Sequence, residues 1–249
     1  MSGHSKWATI KRKKGKLDAE RGKIFTRLIK EITVAAREGG GDADGNPRLR
    51  TAVLAGKAAN MPQDNIKRAI LKGTGQLPGH VYESINYEGY GPAGVALYME
   101  VMTDNKNRTV SEVRHMLAKF GGNLGAAGCV AWMFKKKGII TIDLAVANED
   151  ALMELAMDAG AEDMSTGSDS FEITAAPEDM EKIKAALDKK GIPIMSSEIT
   201  MLAENQVKLT KESEASAMLK LYEGLEELDD VQKVYGNFDI DEALLEKLA

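Results

Sequence analysis

Cysteine and histidine are scarce in this chain of 249 residues. A single cysteine, Cys129, excludes an internal disulfide, and its apolar neighbours in AAGCVAWMF predict a buried structural thiol. The three histidines, His4, His80 and His115, have no metal-ligand spacing and no cysteine partners. Zinc sites need such groupings of ligands. We therefore expect neither a bound metal nor a cofactor.

Long apolar runs are also missing. No stretch approaches the roughly 18 apolar residues that span a bilayer, and the N-terminus lacks the apolar core of a secretory signal. These absences predict a cytoplasmic protein without membrane contact.

The common catalytic motifs are absent as well. GTGQLPG (73–79) lacks the lysine of a phosphate-binding loop, and GGNLGAAG (121–128) follows a predicted helix, whereas a dinucleotide-binding motif follows a strand. TGSDSF (166–171) does not place glycines on both sides of a serine, as a nucleophile elbow does. We therefore predict that the chain is not an enzyme. An acidic cleft with catalytic activity between later domains is the least favoured alternative.

What the sequence does contain is a strong charge asymmetry. The whole chain has a net charge of -5, but residues 1–75 hold 17 Lys and Arg against 7 Asp and Glu, a net of +10. The remaining 16 basic and 31 acidic residues give residues 76–249 a net of -15. This asymmetry favours a nucleic-acid-binding segment joined to an acidic remainder, with chance segregation of solvated faces as the alternative.

The first 75 residues read as a basic arm followed by three helices. The arm is GHSKWATIKRKKGK (3–16), and helical spacing then covers 20–37. Asn46 and Pro47 predict the start of a second helix at 47–60, and Pro62 opens a third that ends at Gly73. KRKK (11–14) is also a weak match to a nuclear localisation signal, a less favoured interpretation.

The candidate nucleic-acid contacts are the cations of this segment and one tryptophan. Lys and Arg that reach outward bind phosphates and release counterions. Trp7 has two open interpretations, stacking on a base or packing against the helices. Lys23, Arg27 and Lys30 recur at i, i+4 and i+7 and predict a cationic stripe on the first helix. The full set is Lys6, Trp7, Lys11, Arg12, Lys13, Lys14, Lys16, Arg21, Lys23, Arg27, Lys30, Arg48, Arg50, Lys57, Lys67 and Arg68, with Lys72 in the same unit.

The rest of the chain predicts mixed helices and strands. A hairpin around 89–94, a helix at 109–122 and a strand at CVAWMF (129–134) are followed by a β-α-β-β-α-β pattern over 137–203, the ferredoxin-like arrangement. A β-α-β tail completes the chain. We predict three domains: residues 1–75, residues 80–135 with 205–249 as one discontinuous α+β domain, and residues 137–203 inserted in it. The fold class is multidomain α+β, a three-helix domain followed by two α+β (ferredoxin-like) domains.

The chain closely resembles the YebC/PmpR family. The strings that carry the resemblance are GHSKWATIKRKKGKLDAERGKIFTRLIKEITVAAREGGGD, NPRLRTAVLAGKAANMPQDNIKRAILKGTG, YEGYGPAGVALYMEVMTDNKNRTVSEVR and GGNLGAAGCVAWMF. The resemblance implies a cytoplasmic bacterial protein of three domains. It also singles out the loop at Asn60, Met61 and Pro62 as part of the functional surface.

The resemblance implies two functions. Family members are described as DNA-binding transcriptional regulators. Others are assigned to translation on the ribosome, at proline-rich stretches, and a mitochondrial relative activates translation of a cytochrome c oxidase subunit. The residues do not determine whether the nucleic acid is DNA or ribosomal or transfer RNA, because Lys and Arg bind the phosphate backbones of both polymers. We expect a monomer whose acidic α+β domains are candidates for contact with a protein partner.

Overall fold

The computed structural model describes residues 17–167 and 169–248. Within these ranges, no helix is long and apolar enough to cross a bilayer. The same ranges contain no group of three or more His, Cys, Asp or Glu side chains that could hold a metal ion.

Three helices form the N-terminal part, which we call the helical unit (residues 17–73). They are α1 (Leu17–Gly39), α2 (Pro47–Ala58) and α3 (Gln63–Gly73). Their shared core is aliphatic and small, which lets α1 lie against both partners; it contains Ile32, Ala35, Ala36, Leu49, Ala52, Met61, Ile66 and Ala69. The predicted three-helix arrangement is confirmed.

Asn46 explains why the second helix starts where it does. Its Oδ1 accepts the Leu49 N–H at 3.1 Å, which caps α2, and Pro47 occupies the first helical position. Its Nδ2 donates to the carbonyl oxygens of Ala35 at 2.8 Å and Gly40 at 2.9 Å. One buried amide therefore both caps α2 and fixes it against the end of α1.

The loop between α2 and α3 divides its residues between core and surface. Met61 is buried in the helical core, while Asn60 and Pro62 are exposed. Asn60 has φ 57°, a left-handed conformation that asparagine tolerates better than most residues. Met61 is therefore a packing residue, and the exposed part of this loop is Asn60 and Pro62.

A four-stranded antiparallel sheet lies at the centre of the rest of the chain, in the order β3-β1-β2-β9. Its strands are β1 (Glu83–Tyr90), β2 (Ala96–Thr103), β3 (Asn123–Leu124) and β9 (Val231–Gly236), and its helices are α4 (Lys106–Lys119) and α7 (Glu212–Glu227). The largest hydrophobic core joins these helices to the sheet through side chains such as Leu97, Met99, Val113, Leu117 and Leu225. Because β9 pairs with β2, the end of the chain completes a sheet that begins about 150 residues earlier, at Glu83.

The segment between these parts forms a second antiparallel sheet in the order β5-β6-β4-β7. Its elements are β4 (Phe134–Asp143), α5 (Glu149–Asp158), β5 (Ala161–Thr166), β6 (Ser170–Ala175), α6 (Met180–Lys189) and β7 (Ser196–Ala203). Both helices pack on one face of the sheet, where Leu152 of α5 and Ile183 of α6 share a core with Ile140, Ile142 and Ile173. The β-α-β-β-α-β order is the one predicted from the sequence. The exact division of the chain into three domains stays a prediction.

Three local predictions are wrong. Residues 231–240 are not one strand: they divide at Asn237 into β9 and β10 (Phe238–Ile240), and β10 pairs in parallel with β8 (Val207–Leu209). The Asn237 side chain accepts the Ala96 N–H at 2.7 Å, which turns the chain from one sheet to the other. The helix after Pro177 begins only at Met180. A last helix, α8 (Glu242–Leu248), was not predicted.

A fourth correction concerns CVAWMF, which is not a strand before Phe134. Residues 131–133 form a 3-10 turn, and one buried carboxylate collects backbone donors from the loop that leads into it. Glu88, 6% exposed, accepts N–H groups from Gly128 at 2.6 Å, Val130 at 2.7 Å and Ala131 at 2.8 Å. Burial raises the pKa of Glu88, but these three hydrogen bonds outweigh burial and the pKa lies below its ordinary value. Cys129 within this loop is only half-buried, and burial raises the pKa of its thiol.

We expect the substitution Glu88→Gln to lower the free energy of unfolding by about 2–4 kcal/mol. A glutamine keeps one acceptor oxygen but turns an N–H₂ donor toward backbone N–H groups, so at least one buried donor loses its partner. Urea unfolding of the full chain measures the change. The matched control is Glu83→Gln on the same strand, where Glu83 pairs with Lys106 on the surface, and little change is expected. Equal stability of the two variants would contradict the role given to Glu88.

Candidate nucleic-acid interface

Seven of the sixteen predicted contact residues lie outside the described residues. This applies to every arm residue of the set, namely Lys6, Trp7, Lys11, Arg12, Lys13, Lys14 and Lys16. Arg21 lies in α1, but its side chain is outside what the structure describes. The role of these residues stays a prediction from the sequence.

The predicted cationic stripe on α1 is not a free surface. Lys30 is only 5% exposed, and its Nζ donates to the Asp229 carbonyl oxygen at 2.8 Å and to Asp230 Oδ1 at 2.7 Å. Arg27 donates to the Glu226 carbonyl oxygen at the end of α7. Cations at a helix C-terminus satisfy its last carbonyls and complement its dipole. The prediction of an open phosphate-binding face is wrong for Lys30.

Lys23 marks the outer end of this contact. Its Nζ lies 4.0 Å from Glu227 Oε1, and its side chain is 43% exposed. The three cations do lie on one face of α1, as their spacing predicts. Helical spacing does not reveal, however, which part of the protein that face of the helix contacts. Here the face packs against the end of α7 and the turn that follows it.

Asp230 is the hub of this contact. Its side chain joins the helical unit to the central sheet: Oδ1 accepts from Lys30, and Oδ2 accepts from Thr103 at 3.0 Å, Thr109 at 2.7 Å and Arg108 at 2.6 Å. Burial raises the pKa of the Asp230 carboxyl, but the hydrogen bonds from Lys30, Arg108 and Thr109 more than reverse that effect. The pKa of Asp230 therefore lies well below its ordinary value, and the carboxylate is charged at neutral pH. Nothing in ELDDVQ (227–232) distinguishes this buried acid from its solvated neighbours.

Arg48 is also engaged within the helical unit. Its guanidinium contacts Glu31 at 2.8 Å and also pairs with Glu38, which ties α2 to α1. The hydrogen bond that Arg48 donates to Glu31 is the largest of several effects that raise the pKa of Arg48. Because two carboxylates neutralise it, Arg48 carries less free positive charge than the sequence predicts.

Four predicted cations remain open to solvent. Arg50 and Lys57 lie on α2, seven residues apart and therefore on one face, and Lys67 and Arg68 lie on α3. All four are exposed, and none makes an ion pair with a described residue. They supply uncompensated positive charge, which is what a phosphate backbone requires. Lys72, near the end of α3, is also exposed and makes no ion pair with a described residue, so it is a fifth predicted cation that the structure leaves available.

Sequence reasoning missed Arg37 and His80, which line a cleft between the helical unit and the central sheet together with Lys72. Arg37 had no motif around it, and His80 was considered only as a metal ligand. No pattern in the sequence places residues 37, 72 and 80 side by side, because their proximity depends on how α1, α3 and the linker pack.

Comparison with known proteins places these features in a context. A family model described as the TACO1/YebC protein N-terminal domain matches residues 5–76, and one described as the TACO1/YebC second and third domain matches residues 82–238. A "probable transcriptional regulatory protein" of Desulfotalea psychrophila is 58% identical over 249 residues, all of both chains. A protein of the same name from Syntrophobacter fumaroxidans is 55% identical, again over all of both chains.

A solved structure supports the same relationship. The crystal structure of the conserved hypothetical protein Aq1575 from Aquifex aeolicus matches this chain with a TM-score of 0.77 and 48% sequence identity. The match covers 90% of this chain and 93% of the other.

Proposed function

Because the chain belongs to the TACO1/YebC family, we propose that it is a non-enzymatic regulator of gene expression that binds nucleic acid in the cytoplasm. More specifically, we propose a DNA-binding transcriptional regulator, as the names of its relatives suggest. The observation that carries the proposal is the set of exposed, unpaired cations on α2 and α3, within a segment of net charge +10.

The proposed mechanism is electrostatic. Each Lys or Arg that reaches a phosphate releases condensed counterions, which is favourable and independent of base sequence. The arm would add a dense group of such contacts to those of α2 and α3. The acidic remainder, of net charge -15, would repel polyanions elsewhere on the molecule and so confine them to the helical unit and arm.

The contacts between α1 and α7 suggest which helices of the helical unit would face the nucleic acid. Arg27 and Lys30 are bound to the carbonyl oxygens and carboxylate near the end of α7, so α1 faces the central sheet. The nucleic acid would then meet α2 and α3, where Arg50, Lys57, Lys67 and Arg68 are exposed and make no ion pair with a described residue. The translation alternative uses the same surface with ribosomal or transfer RNA in place of DNA.

The polymer is identified by crosslinking the protein in growing cells and sequencing the attached nucleic acid. We expect discrete promoter fragments, because a transcriptional regulator occupies them. The control is a full-length variant with Arg50, Lys57, Lys67 and Arg68 changed to Gln, which should lose most of the recovered fragments. Recovery of ribosomal RNA instead would overturn the transcriptional assignment in favour of translation. Equal recovery by wild type and the variant would overturn the role of α2 and α3, and no recovery above cells that lack the protein would overturn nucleic-acid binding altogether.

A further inference from the structure

The junction between the helical unit and the central sheet contains a cleft of about 300 Å³. One wall comes from α1 and α3, with Arg37 and Lys72, and the other from the linker at residues 77–82. The helices approach closely at this point: a Cβ on Gly73 would lie 2.3 Å from the Thr33 carbonyl oxygen. The cleft therefore depends on how α1, α3 and the linker pack together, which explains why no sequence motif marks it.

Two cations of the cleft have no carboxylate partner. Arg37 and Lys72 are exposed, and neither makes an ion pair with a residue in the described ranges. The arginine is positioned by a hydrogen bond of 3.3 Å from Nη1 to the Tyr82 carbonyl oxygen. The aliphatic part of Lys72 lies against Gly79, where an added Cβ would be 3.1 Å from its Cδ. Both side chains are thus held at the cleft without a close ion pair, and Arg37 acts on the Glu83 carboxylate only as a minor, longer-range charge.

The acids around the cleft are already paired. Glu83 lies 2.6 Å from Lys106, and Asp104 lies 3.0 Å from Arg108 and 2.9 Å from the His80 imidazole. Asp230 is enclosed by Lys30 and Arg108. The nearby carboxylates are therefore neutralised by other cations, and the surplus positive charge at this junction belongs to Arg37 and Lys72.

The linker wall adds hydrogen-bond donors. The backbone N–H groups of Gly79, His80 and Val81 donate to no described residue. The His80 side chain is 73% exposed. Guanidinium, ammonium, backbone N–H and imidazole are the groups that bind phosphate oxygens in proteins.

We propose that this junction cleft binds a phosphate group, with Arg37 and Lys72 as its principal ligands. The proposal rests on the proposed function in so far as a nucleic-acid backbone supplies the phosphate, and it extends the contact surface from α3 to the linker. The chemistry is equally that of a free phosphate. Because both walls contribute, a bound phosphate would also join the helical unit to the linker that leads into β1.

The test compares two full-length variants, each of which loses two positive charges. The cleft variant is Arg37→Gln with Lys72→Gln, and the control is Lys189→Gln with Lys190→Gln, on exposed residues at the end of α6. Affinity for a fluorescent DNA duplex and for a single-stranded RNA is measured by anisotropy at fixed salt. We expect the cleft variant to bind at least tenfold more weakly than wild type and the control to match wild type. Circular dichroism melting verifies that both variants fold.

The outcomes separate this proposal from the proposed function. If wild type binds neither oligonucleotide, the proposed function fails. The titration with inorganic phosphate described below then decides alone whether the cleft binds phosphate. If wild type binds and the cleft variant binds equally well, the cleft proposal is overturned while the proposed function stands.

Inorganic phosphate at constant ionic strength distinguishes the source of the ligand. A shift of the His80 imidazole resonance in wild type, absent in the cleft variant, shows that the cleft accepts free phosphate and supports the proposal. Weakened oligonucleotide binding without such a shift supports the proposal with the nucleic-acid backbone as the source. If neither the resonance shift nor the weakened oligonucleotide binding is observed, the cleft proposal is overturned.

Discussion

The substitution Asp230→Asn is expected to lower the free energy of unfolding by about 3–5 kcal/mol, the usual cost of removing one partner from a buried ion pair. Asp230 is 3% exposed and Lys30 is 5% exposed, so neither group recovers water when its partner is lost. An asparagine also leaves fewer acceptors for Arg108, Thr103 and Thr109. Urea unfolding of the full chain measures the loss.

Two further variants make this result specific. Changing Lys30→Met together with Asp230→Asn removes both charges, so the double variant should lose less stability than the two single variants combined. Glu204→Gln, which breaks the exposed pair with Lys135, should have a much smaller effect. An Asp230→Asn protein as stable as the Glu204→Gln protein would contradict the account of this contact.

The same carboxylate makes a prediction about acid. Because the folded pKa of Asp230 is lowered, its stabilising effect is fully present above the unfolded pKa of about 3.9 and is lost as the pH falls toward the folded pKa. The difference in unfolding free energy between wild type and Asp230→Asn should therefore shrink below about pH 4. A constant difference from pH 7 to pH 3 would assign the effect to something other than charge.

The sequence predicts the local structure of this protein well because local chemistry determines it. Asn46 and Pro47 define the start of α2, and the alternation in SFEITA (170–175) defines β6. The same holds for the β-α-β-β-α-β order. The strand predicted at CVAWMF is wrong because a side chain distant in sequence binds the backbone there: Glu88 accepts hydrogen bonds from N–H groups of residues 128–131. A carboxylate about 40 residues away leaves no signal in a local pattern.

The candidate site is less predictable than the fold because the sequence shows which residues are charged but not which of them form ion pairs in the folded protein. In the sequence, Lys30 and Lys57 look alike, because each is a lysine within a predicted helix of the basic segment. The structure separates them: Lys30 is bound to Asp230, and Lys57 is exposed. The sequence therefore identifies the basic segment, whereas the choice of cations available to a phosphate depends on how that segment packs.

Removing the free cations of α2 and α3 should have a large effect on nucleic-acid binding. Each lost phosphate contact makes the slope of log affinity against log salt shallower by about 0.9 on duplex DNA. Four lost contacts reduce the affinity change between 50 and 200 mM salt by about 100-fold. The helix variant carries Gln in place of Arg50, Lys57, Lys67 and Arg68.

A matched control removes the same charge elsewhere. The body variant carries Gln at four exposed lysines outside the basic segment, Lys189, Lys190, Lys208 and Lys220. Both variants change the net charge of the chain by the same amount, so a general charge effect would appear equally in each. An arm variant, with Ala at Lys11, Arg12, Lys13 and Lys14, tests the arm in the same titration.

The salt dependence of duplex binding by wild type and these three variants is the most direct test of the claim that the basic segment holds nucleic acid. We predict a clearly shallower slope and weaker binding for the helix and arm variants, and an unchanged slope for the body variant. Equal slopes for wild type and for all three variants would contradict the claim.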